Sequence, residues 1–335
     1  MSMLFWNMDD YPIPAAGGGV EDGLGFIRNN IVEVGHRMGF HGFMEIWVYC
    51  SRTGVNNPSP LDMTCYLVHH ALSVYGPYGP PDLVVIAKPV KELDRVLECL
   101  RLRGHPILLI DPTAITGGGS FFSVESLLGC TQFLTADQYL KDLSSSHLEN
   151  DTSKILDFFE PIRPVKENRT GVFWDAEDFS FPPFSTPDEI FARIESALVE
   201  RGLIYKLTIW VYLDDDKKGT CGGGKKEWAS RIYFLPGGDK ASRRIRMAND
   251  IYFWAKDDSE NISFEGISIL FSDQFKDDAE YSESSDMLQN LVACGTCRIL
   301  SVSPMDIINK PEESPEWPGL LIDIGREWVS GAWLL

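Results

Sequence analysis

The sequence predicts an α/β protein made of two tandem Rossmann-like domains, each a mostly parallel β-sheet flanked by helices. Three observations predict this class. The chain has 335 residues, and single domains commonly contain roughly 100–200 residues. Short, almost continuously apolar runs, which are typical of parallel strands buried on both faces, alternate with segments of helical periodicity. Finally, sequence landmarks of the first half return in the same order in the second half, so each half is expected to repeat one fold.

Three pairs of matching segments carry the repeat. They are LFWNMDD at 4–10 with VFWDAED at 172–178, IWVY at 46–49 with IWVY at 209–212, and IL at 107–108 with IL at 299–300. The order of the landmarks is the same in both halves, but their spacing differs. The sequence therefore predicts two related domains whose loops differ in length.

The first half is expected to alternate strands and helices in chain order. Its strands are predicted at 3–6, 43–50, 83–87 and 107–110. Between them, spacings of three and four mark one helix face at Ile27, Ile31, Val34 and Met38, and another at Leu93, Val96, Leu97 and Leu100. Such spacing places apolar side chains on one side of a helix, where they can cover the sheet.

The second half shows the same alternation. Strands are predicted at 171–174, 206–213, 267–271 and 298–302, and helices at 188–201, 240–256 and 285–293; a further strand is expected within 228–235. Three serines at 144–146 and the prolines at 161 and 164 indicate a linker between the halves. We therefore expect a first domain over 1–141, a linker over 142–170 and a second domain over 171–335.

Composition limits the function classes. With 30 Lys+Arg against 49 Asp+Glu, the formal charge is −19, which excludes a globally basic nucleic-acid coat. The seven cysteines are scattered, a pattern that favours a reducing compartment without disulfides. No uncharged apolar run approaches the roughly 18 residues of a membrane helix. The expectation is an intracellular, cytoplasmic protein with no membrane partner, with the nucleus and the peroxisome left open.

Acidic residues follow the first strand of the second half. Asp175, Glu177 and Asp178 stand there, and ligands of open parallel sheets bind outside the carboxyl ends of the strands. Grouped carboxylates can hold Mg²⁺ or Mn²⁺, which suit phosphodiester hydrolysis. Asn7 replaces the first of these acids in the first half, which weakens any metal site built there. The alternative for the second half is that these acids only cap turns.

The opening motif of the second half resembles that of a known family. The run FWDAED at 173–178, followed by prolines at 182 and 183, resembles the start of NYN domains of the limkain and meiosis-arrest-female type, a group with many plant members within the PIN-like nuclease superfamily. The resemblance extends through IWVY, through the helix at 240–256, and to the segment RLRGHPILL at 101–109. It therefore covers most of both halves and implies a tandem NYN protein.

The resemblance implies a metal-dependent RNA endonuclease in the second half. Carried over position by position, its catalytic acids are Asp175, Asp178, Asp250 and Asp273, and of these Asp175, Asp250 and Asp273 are the expected ligands of Mg²⁺ or Mn²⁺. The last acidic motif departs from the family pattern in both its spacing and its glycine. In the first half Lys88 occupies the place of an acid, Asp62 is the only helix acid retained and Val68 stands where a second is expected, so this half is expected to be inactive.

A basic block lies within the otherwise acidic second half. Lys240, Arg243, Arg244 and Arg246 are expected to contact the backbone of single-stranded RNA. The alternative is an exposed helix face that only balances nearby acids. Two functions therefore stay open: a metal-dependent endoribonuclease, or a catalytically dead pseudonuclease that acts as an RNA- or protein-binding scaffold in the regulation of gene expression.

Two further motifs are interpreted as structural. The glycine-rich run at 219–226 resembles a phosphate-binding loop, but Lys226 stands where the Mg²⁺-binding Ser or Thr belongs. Cys294 and Cys297 form one C-x-x-C pair without the second pair that a zinc site requires. Nucleotide binding through 219–226 is the third and weakest alternative.

Overall fold

A computed structural model describes most of the chain in two compact units, residues 1–149 and residues 150–335. The described residues are 2–12, 20–41, 44–50, 63–73, 79–111, 122–134, 169–203, 206–214, 232–236, 238–257, 266–272, 275, 283–303 and 311–327. The linker predicted over 142–170 lies outside them except for 169 and 170, which begin a strand. None of the helices in these ranges is both long and apolar enough to cross a membrane.

The first unit contains a five-stranded sheet with helices between the strands. Its strands are β1 Ser2–Asn7, β2 Met44–Tyr49, β3 Asp82–Ile86, β4 Ile107–Ile110 and β5 Thr131–Leu134. Its helices are α1 Val20–Arg37, α2 Met63–Ser73, α3 Lys91–Leu102 and α4 Val124–Gly129. The strand order is β2-β1-β3-β4-β5. The first four strands run parallel, and β5 pairs antiparallel with β4.

The second unit contains a six-stranded sheet of the same kind. Its strands are β6 Arg169–Asp175, β7 Lys206–Leu213, β8 Ile232–Pro236, β9 Gly266–Phe271, β10 Cys297–Val302 and β11 Arg326–Glu327. Its helices are α5 Pro187–Glu200, α6 Lys240–Lys256, α7 Glu283–Ala293 and α8 Gly319–Asp323, with a 3-10 turn at Pro311–Glu313. The order is β11-β10-β9-β6-β7-β8, and only β11 runs antiparallel to its neighbour.

The predicted fold class is confirmed, because both sheets are mostly parallel and flanked by helices. The two strand orders also match each other once β8 is set aside, with β1 equivalent to β6 and β2 to β7. The antiparallel edge strands β5 and β11 were not predicted. Both are short and largely exposed, so they lack the continuous apolar run that marks a buried parallel strand.

Helices cover both faces of the first sheet because side chains alternate along β1. Leu4 and Trp6 share one core with Ile27 and Ile31 of α1. Phe5 points to the opposite face, where its ring centroid lies 6.5 Å from that of His70 in α2. The sheet is therefore buried between α1 on one side and α2 on the other.

The second sheet is covered in the same way. Trp174 belongs to a core with Ile194 of α5, and Phe173 points to the other face, with its ring centroid 6.0 Å from that of Trp254 in α6. A Cβ added at Gly171 would lie 2.9 Å from Trp254 Cε2, so the helix approaches the sheet as closely as it does because this strand position lacks a side chain. This close packing fixes α6 over β6.

Candidate functional site

Asp175 is the last residue of β6 and is completely buried. Its Oδ1 accepts a hydrogen bond from the Glu177 backbone N–H at 3.0 Å, and its Oδ2 accepts one from Arg243 Nε at 3.1 Å. A buried carboxylate is tolerated when it is both paired and hydrogen-bonded. Both oxygens of Asp175 meet this condition through groups of the chain itself.

Arg243 lies in the first turn of α6 and is 4% exposed. Because α6 follows the parallel strand β8, it begins at the carboxyl edge of the sheet, next to the end of β6. The Nη1 group of Arg243 also donates to the Asp214 carboxylate, which follows β7, and to the Gly238 carbonyl oxygen at 3.0 Å. One guanidinium group therefore joins the ends of two strands to the start of a helix.

The charges around Arg243 favour its protonated form. Burial on its own lowers the pKa of this guanidinium, but Asp175, Asp214 and Glu177 together raise the pKa above its ordinary value. Glu177 is held in the same cluster because its Oε1 accepts a hydrogen bond from the Asp214 backbone N–H at 3.3 Å. The cluster is thus acidic in composition but contains a permanent internal cation.

Asp178 stands beside this cluster with partners of its own. Its Oδ2 accepts a hydrogen bond from Ser272 Oγ at 3.3 Å, and its Oδ1 lies 3.7 Å from Lys240 Nζ. Ser272 directly follows β9, so the contact joins the ends of neighbouring strands. Lys240 is largely exposed, and exposed ion pairs contribute little to stability.

Asp250 is buried in α6 and is bonded from the sheet. Its Oδ2 accepts a hydrogen bond from the Tyr212 hydroxyl at 2.8 Å. Tyr212 lies in β7 directly opposite Asp175 of β6. The two predicted metal ligands Asp175 and Asp250 therefore lie on adjoining elements, but one is bonded by an arginine and the other by a tyrosine. Asp273, the third predicted ligand, lies outside the described residues.

Two of the four α6 side chains predicted to contact RNA are not at the surface. Arg243 and Arg246 are buried, so neither can meet a phosphate at the surface. Arg244 is partly buried, with its guanidinium carbon 5.6 Å from the Phe275 ring centroid, whereas Lys240 is exposed. Positions three apart share a helix face, and for Arg243 and Arg246 that face points inward.

The first unit repeats this local geometry without the acid. Asn7 ends β1 as Asp175 ends β6, and its Oδ1 accepts from the Asp9 backbone N–H at 3.0 Å. Its Nδ2 donates to Asp10 Oδ2 at 2.8 Å. The exposed Lys88 side chain lies near the same carboxylate, with its Nζ 3.9 Å from Asp10 Oδ1, and its backbone N–H donates to Asp10 Oδ2 at 3.0 Å. Asp62 lies outside the described residues, and Val68 is buried in α2.

The repeat extends to individual hydrogen bonds. The Trp6 indole N–H donates to the Tyr11 carbonyl oxygen at 2.9 Å, and the Trp174 indole N–H donates to the Phe179 carbonyl oxygen at 2.7 Å. Each tryptophan is thereby bonded to the residue five positions further along the chain. The motif that links the two halves in sequence thus forms the same turn after the equivalent strands β1 and β6.

A divalent cation does not fit the described residues at this position. Mg²⁺ and Mn²⁺ require several convergent oxygen ligands, but the Arg243 guanidinium, whose Nε lies 3.1 Å from Asp175 Oδ2, would repel a second cation at this carboxylate. Arg243 thus places a positive charge beside Asp175, one of the residues that the resemblance implies as metal ligands.

Sequence reasoning missed two residues of this cluster. Asp214 follows β7 as Asp175 follows β6, so the rule of strand ends could have found it. Tyr212 ends the repeated IWVY segment, but no sequence signal indicates that its hydroxyl meets Asp250.

The remaining motifs add no chemistry to the site. The glycine-rich run at 219–226 lies outside the described residues. Cys294 is exposed and Cys297 is buried, and burial raises the pKa of the Cys297 thiol to about 12. None of the six cysteines in the described ranges forms a disulfide.

A scan against protein-family models found no match, and a search of curated proteins found none significantly similar. The resemblance to NYN domains therefore stays a prediction from the motif at 173–178.

Proposed function

We propose that this chain is a non-catalytic, nuclease-like tandem protein that serves as a protein-binding scaffold. The observation that carries the proposal is the buried ion pair between Asp175 Oδ2 and Arg243 Nε, at 3.1 Å. The arginine takes the position where a nuclease of this fold would need a metal ion. The first unit supports the same conclusion, since an amide, Asn7, stands at the equivalent strand end in place of the acid.

The ion pair opposes metal binding energetically as well as sterically. A divalent ion would have to separate Asp175 from a guanidinium group that is itself buried and bonded to Asp214 and Gly238. Separating one partner of a buried ion pair typically costs about 3–5 kcal/mol. A metal at this position would therefore bind weakly.

The charge distribution favours a protein over RNA as the bound partner. The formal charge is −19, so RNA phosphates are repelled at long range. Of the four side chains expected to contact phosphates, Arg243 and Arg246 are buried and Arg243 is already paired with carboxylates.

Cleavage and binding of labelled single-stranded RNA by the purified full chain test this proposal. The reactions contain Mn²⁺, Mg²⁺ or EDTA, and an Asp175→Asn variant is run in parallel as the control for contaminating nuclease. We expect no product that depends on both the metal and Asp175, and no retention of RNA in a gel-shift assay at physiological salt. Metal-dependent product that disappears in the variant would establish the endoribonuclease instead. RNA retention without cleavage would make the chain an RNA-binding pseudonuclease.

A further inference from the structure

The same tetrapeptide has different surroundings in the two units. IWVY lies in β2 of the first unit and in β7 of the second. β7 is an interior strand with β6 on one side and β8 on the other, whereas β2 ends its sheet. Among the described strands, none pairs with the outer edge of β2. A strand edge of this kind presents a row of backbone N–H and C=O groups that can pair with another segment.

The side chains of the tetrapeptide reflect this difference. In β7, Val211 is completely buried and Trp210 is 7% exposed. In β2, the equivalent Val48 is 43% exposed and Trp47 is only partly buried. The residues are identical, so the difference arises from what lies beside them. In the second unit β8 covers the edge of β7. The described part of the first unit leaves the equivalent edge of β2 exposed.

The aromatic side chains next to β2 form a partly exposed surface. The Trp47 ring centroid lies 4.4 Å from that of His70 and 6.5 Å from that of Tyr66, and the Tyr66 and His70 rings are almost parallel at 7°. Within the described residues, the buried indole N–H of Trp47 has no hydrogen-bond acceptor. Such an indole N–H usually donates a hydrogen bond when it is buried. The described residues therefore leave this surface without an acceptor that a bound segment could supply.

The second unit shows which kind of segment fits. β8 runs parallel to β7 with Trp210 opposite Tyr233 and Val211 opposite Phe234. The Tyr233 ring stacks on Trp210 with a centroid distance of 6.1 Å and an interplanar angle of 18°. Its sequence from 232 is IYFL, preceded by Arg231. In the same register on β2, a tyrosine would lie on Trp47.

Charge adds a further constraint on the partner. Glu45 precedes Ile46 in β2 and shares a strand face with Trp47. In the register of β8, the residue before the first apolar position would lie opposite Glu45. A basic residue there, like the one that precedes the IYFL sequence, would pair with this carboxylate.

We propose that the outer edge of β2 binds an extended segment of a partner protein, which adds to the sheet as a parallel strand in the position that β8 holds in the second unit. The segment carries a basic residue opposite Glu45, an aromatic residue on Trp47 and an apolar residue beside Val48. Recognition of this type combines backbone hydrogen bonds with alternate side-chain contacts. The proposal rests on the proposed function as a protein-binding scaffold, for which it names the binding surface, but it involves no residue of the Asp175 cluster, so a peptide that fails to bind would leave the absence of catalysis untouched.

A synthetic peptide with the sequence SRIYFLPG, which corresponds to 230–237 of this chain, serves as the probe. Fluorescence anisotropy of the labelled peptide is measured during titration with the full chain, without metal or RNA. We expect saturable binding, with affinity at least about tenfold weaker for a peptide that has alanine in place of tyrosine, because a stacked aromatic pair contributes an amount of that order. A scrambled peptide is the negative control.

Variants of the chain locate the binding edge. Trp47→Ala and Val48→Lys should each weaken peptide binding at least about tenfold. Val199→Lys, at a similarly exposed valine on α5, should leave it unchanged. Val48→Lys changes an exposed side chain, so it tests the edge of β2 even if Trp47→Ala disturbs folding. Circular dichroism shows whether each variant is folded. Because the peptide has the sequence of β8, it could also replace β8 beside β7. Weaker binding by Trp47→Ala would show that the peptide binds at β2 instead.

Three results would overturn the proposal. Equal affinity for the native and scrambled peptides would show that no specific segment is recognised. Unchanged binding by both β2 variants would place the contact elsewhere. A dimer in analytical ultracentrifugation that dissociates when peptide is added would assign the edge to a second copy of the chain rather than to a different partner.

Discussion

At the scale of single residues, the pair formed by Asp175 and Arg243 determines the chemistry of the second unit. Each group is buried, and each is tolerated because the other neutralises it. An acid at a strand end is usually considered a metal ligand, but here its second oxygen is already bonded to a cation. The identity of that neighbour, rather than the presence of the acid, decides what the position can do.

Replacement of the arginine should reveal the cost of the unpaired acid. Arg243→Met should lower the free energy of unfolding by about 3–5 kcal/mol, because it leaves the buried Asp175 carboxyl group without its cationic partner. Urea unfolding of the full chain measures this loss. The double variant Asp175→Asn with Arg243→Met should regain part of it. A single variant as stable as the wild type would show that the ion pair does not hold the cluster together.

Phe184 carries local backbone strain. Its φ is 68°, in the left-handed region, and its side chain is fully exposed. Because residues other than glycine and asparagine pay roughly 1–2 kcal/mol in this conformation, Phe184→Asn should raise the free energy of unfolding by about 1 kcal/mol. Thermal unfolding measures the gain. Phe184→Ala keeps the unfavourable φ and is the control; a similar gain in both variants would assign the effect to the loss of the exposed ring.

At the scale of secondary-structure elements, most strands and helices could be predicted because each has its own apolar pattern. β4, β7 and α6 begin and end where the sequence places them. β5 and β11 were missed because they are held by one neighbour at a sheet edge and bury little. The basic residues of α6 were predicted to contact RNA, although Arg243 and Arg246 are buried. Arginines on a buried face cannot be told from surface arginines without their partners.

A buried histidine joins two elements of the first unit and should make its stability depend on pH. His105 precedes β4, and its Nδ1 lies 3.4 Å from the carbonyl oxygen of Pro81, which precedes β3. Burial lowers the pKa of His105 to about 4, from an ordinary value of 6.5. The unfolded chain therefore takes up the proton first as the pH falls, and stability is lost between the two pKa values.

The expected loss from His105 is about 2 kcal/mol between about pH 7.5 and about pH 5. Urea unfolding at both pH values measures it. His105→Gln removes the titrating group, so the variant should show a smaller difference between the two conditions by about that amount. An equal pH dependence in the variant and the wild type would show that His105 is protonated with equal ease in the folded and unfolded states.

At the scale of the whole molecule, the chain is a repeat whose two copies have diverged at equivalent positions. The same tryptophan-containing turn follows β1 in the first unit and β6 in the second. However, β1 ends with Asn7 and β6 ends with Asp175. Among the described residues, Arg243 lies in the first turn of α6, whereas α2, which covers the equivalent face of the first sheet, has no arginine in the turn that begins at Met63. The buried acid at the end of β6 therefore has a buried cationic partner, whereas the amide at the end of β1 is bonded to Asp9 and Asp10.

This pairing predicts the result of exchanging one residue between the units. Asn7→Asp should lower the free energy of unfolding by about 1–3 kcal/mol, because the new carboxylate is largely buried, lies next to Asp10 and has no arginine partner. Thermal unfolding of the full chain measures the change. Asn7→Ser, which adds no charge, is the matched control. Full stability of Asn7→Asp would mean that Lys88 neutralises both acids.

The sequence by itself determined the fold class, the repeat and the strand end at which acids gather, because these depend on local patterns of apolar residues and on the order of elements along the chain. Only the tertiary structure decided what those acids meet. Arg243 is 68 positions away from Asp175 along the chain, and the two side chains meet because α6 begins at the carboxyl edge of the sheet beside β6. Whether an acid holds a metal or an arginine depends on which charged group folding brings within a few ångströms of it. Because that group can be distant along the chain, the residues next to the acid in sequence do not reveal it.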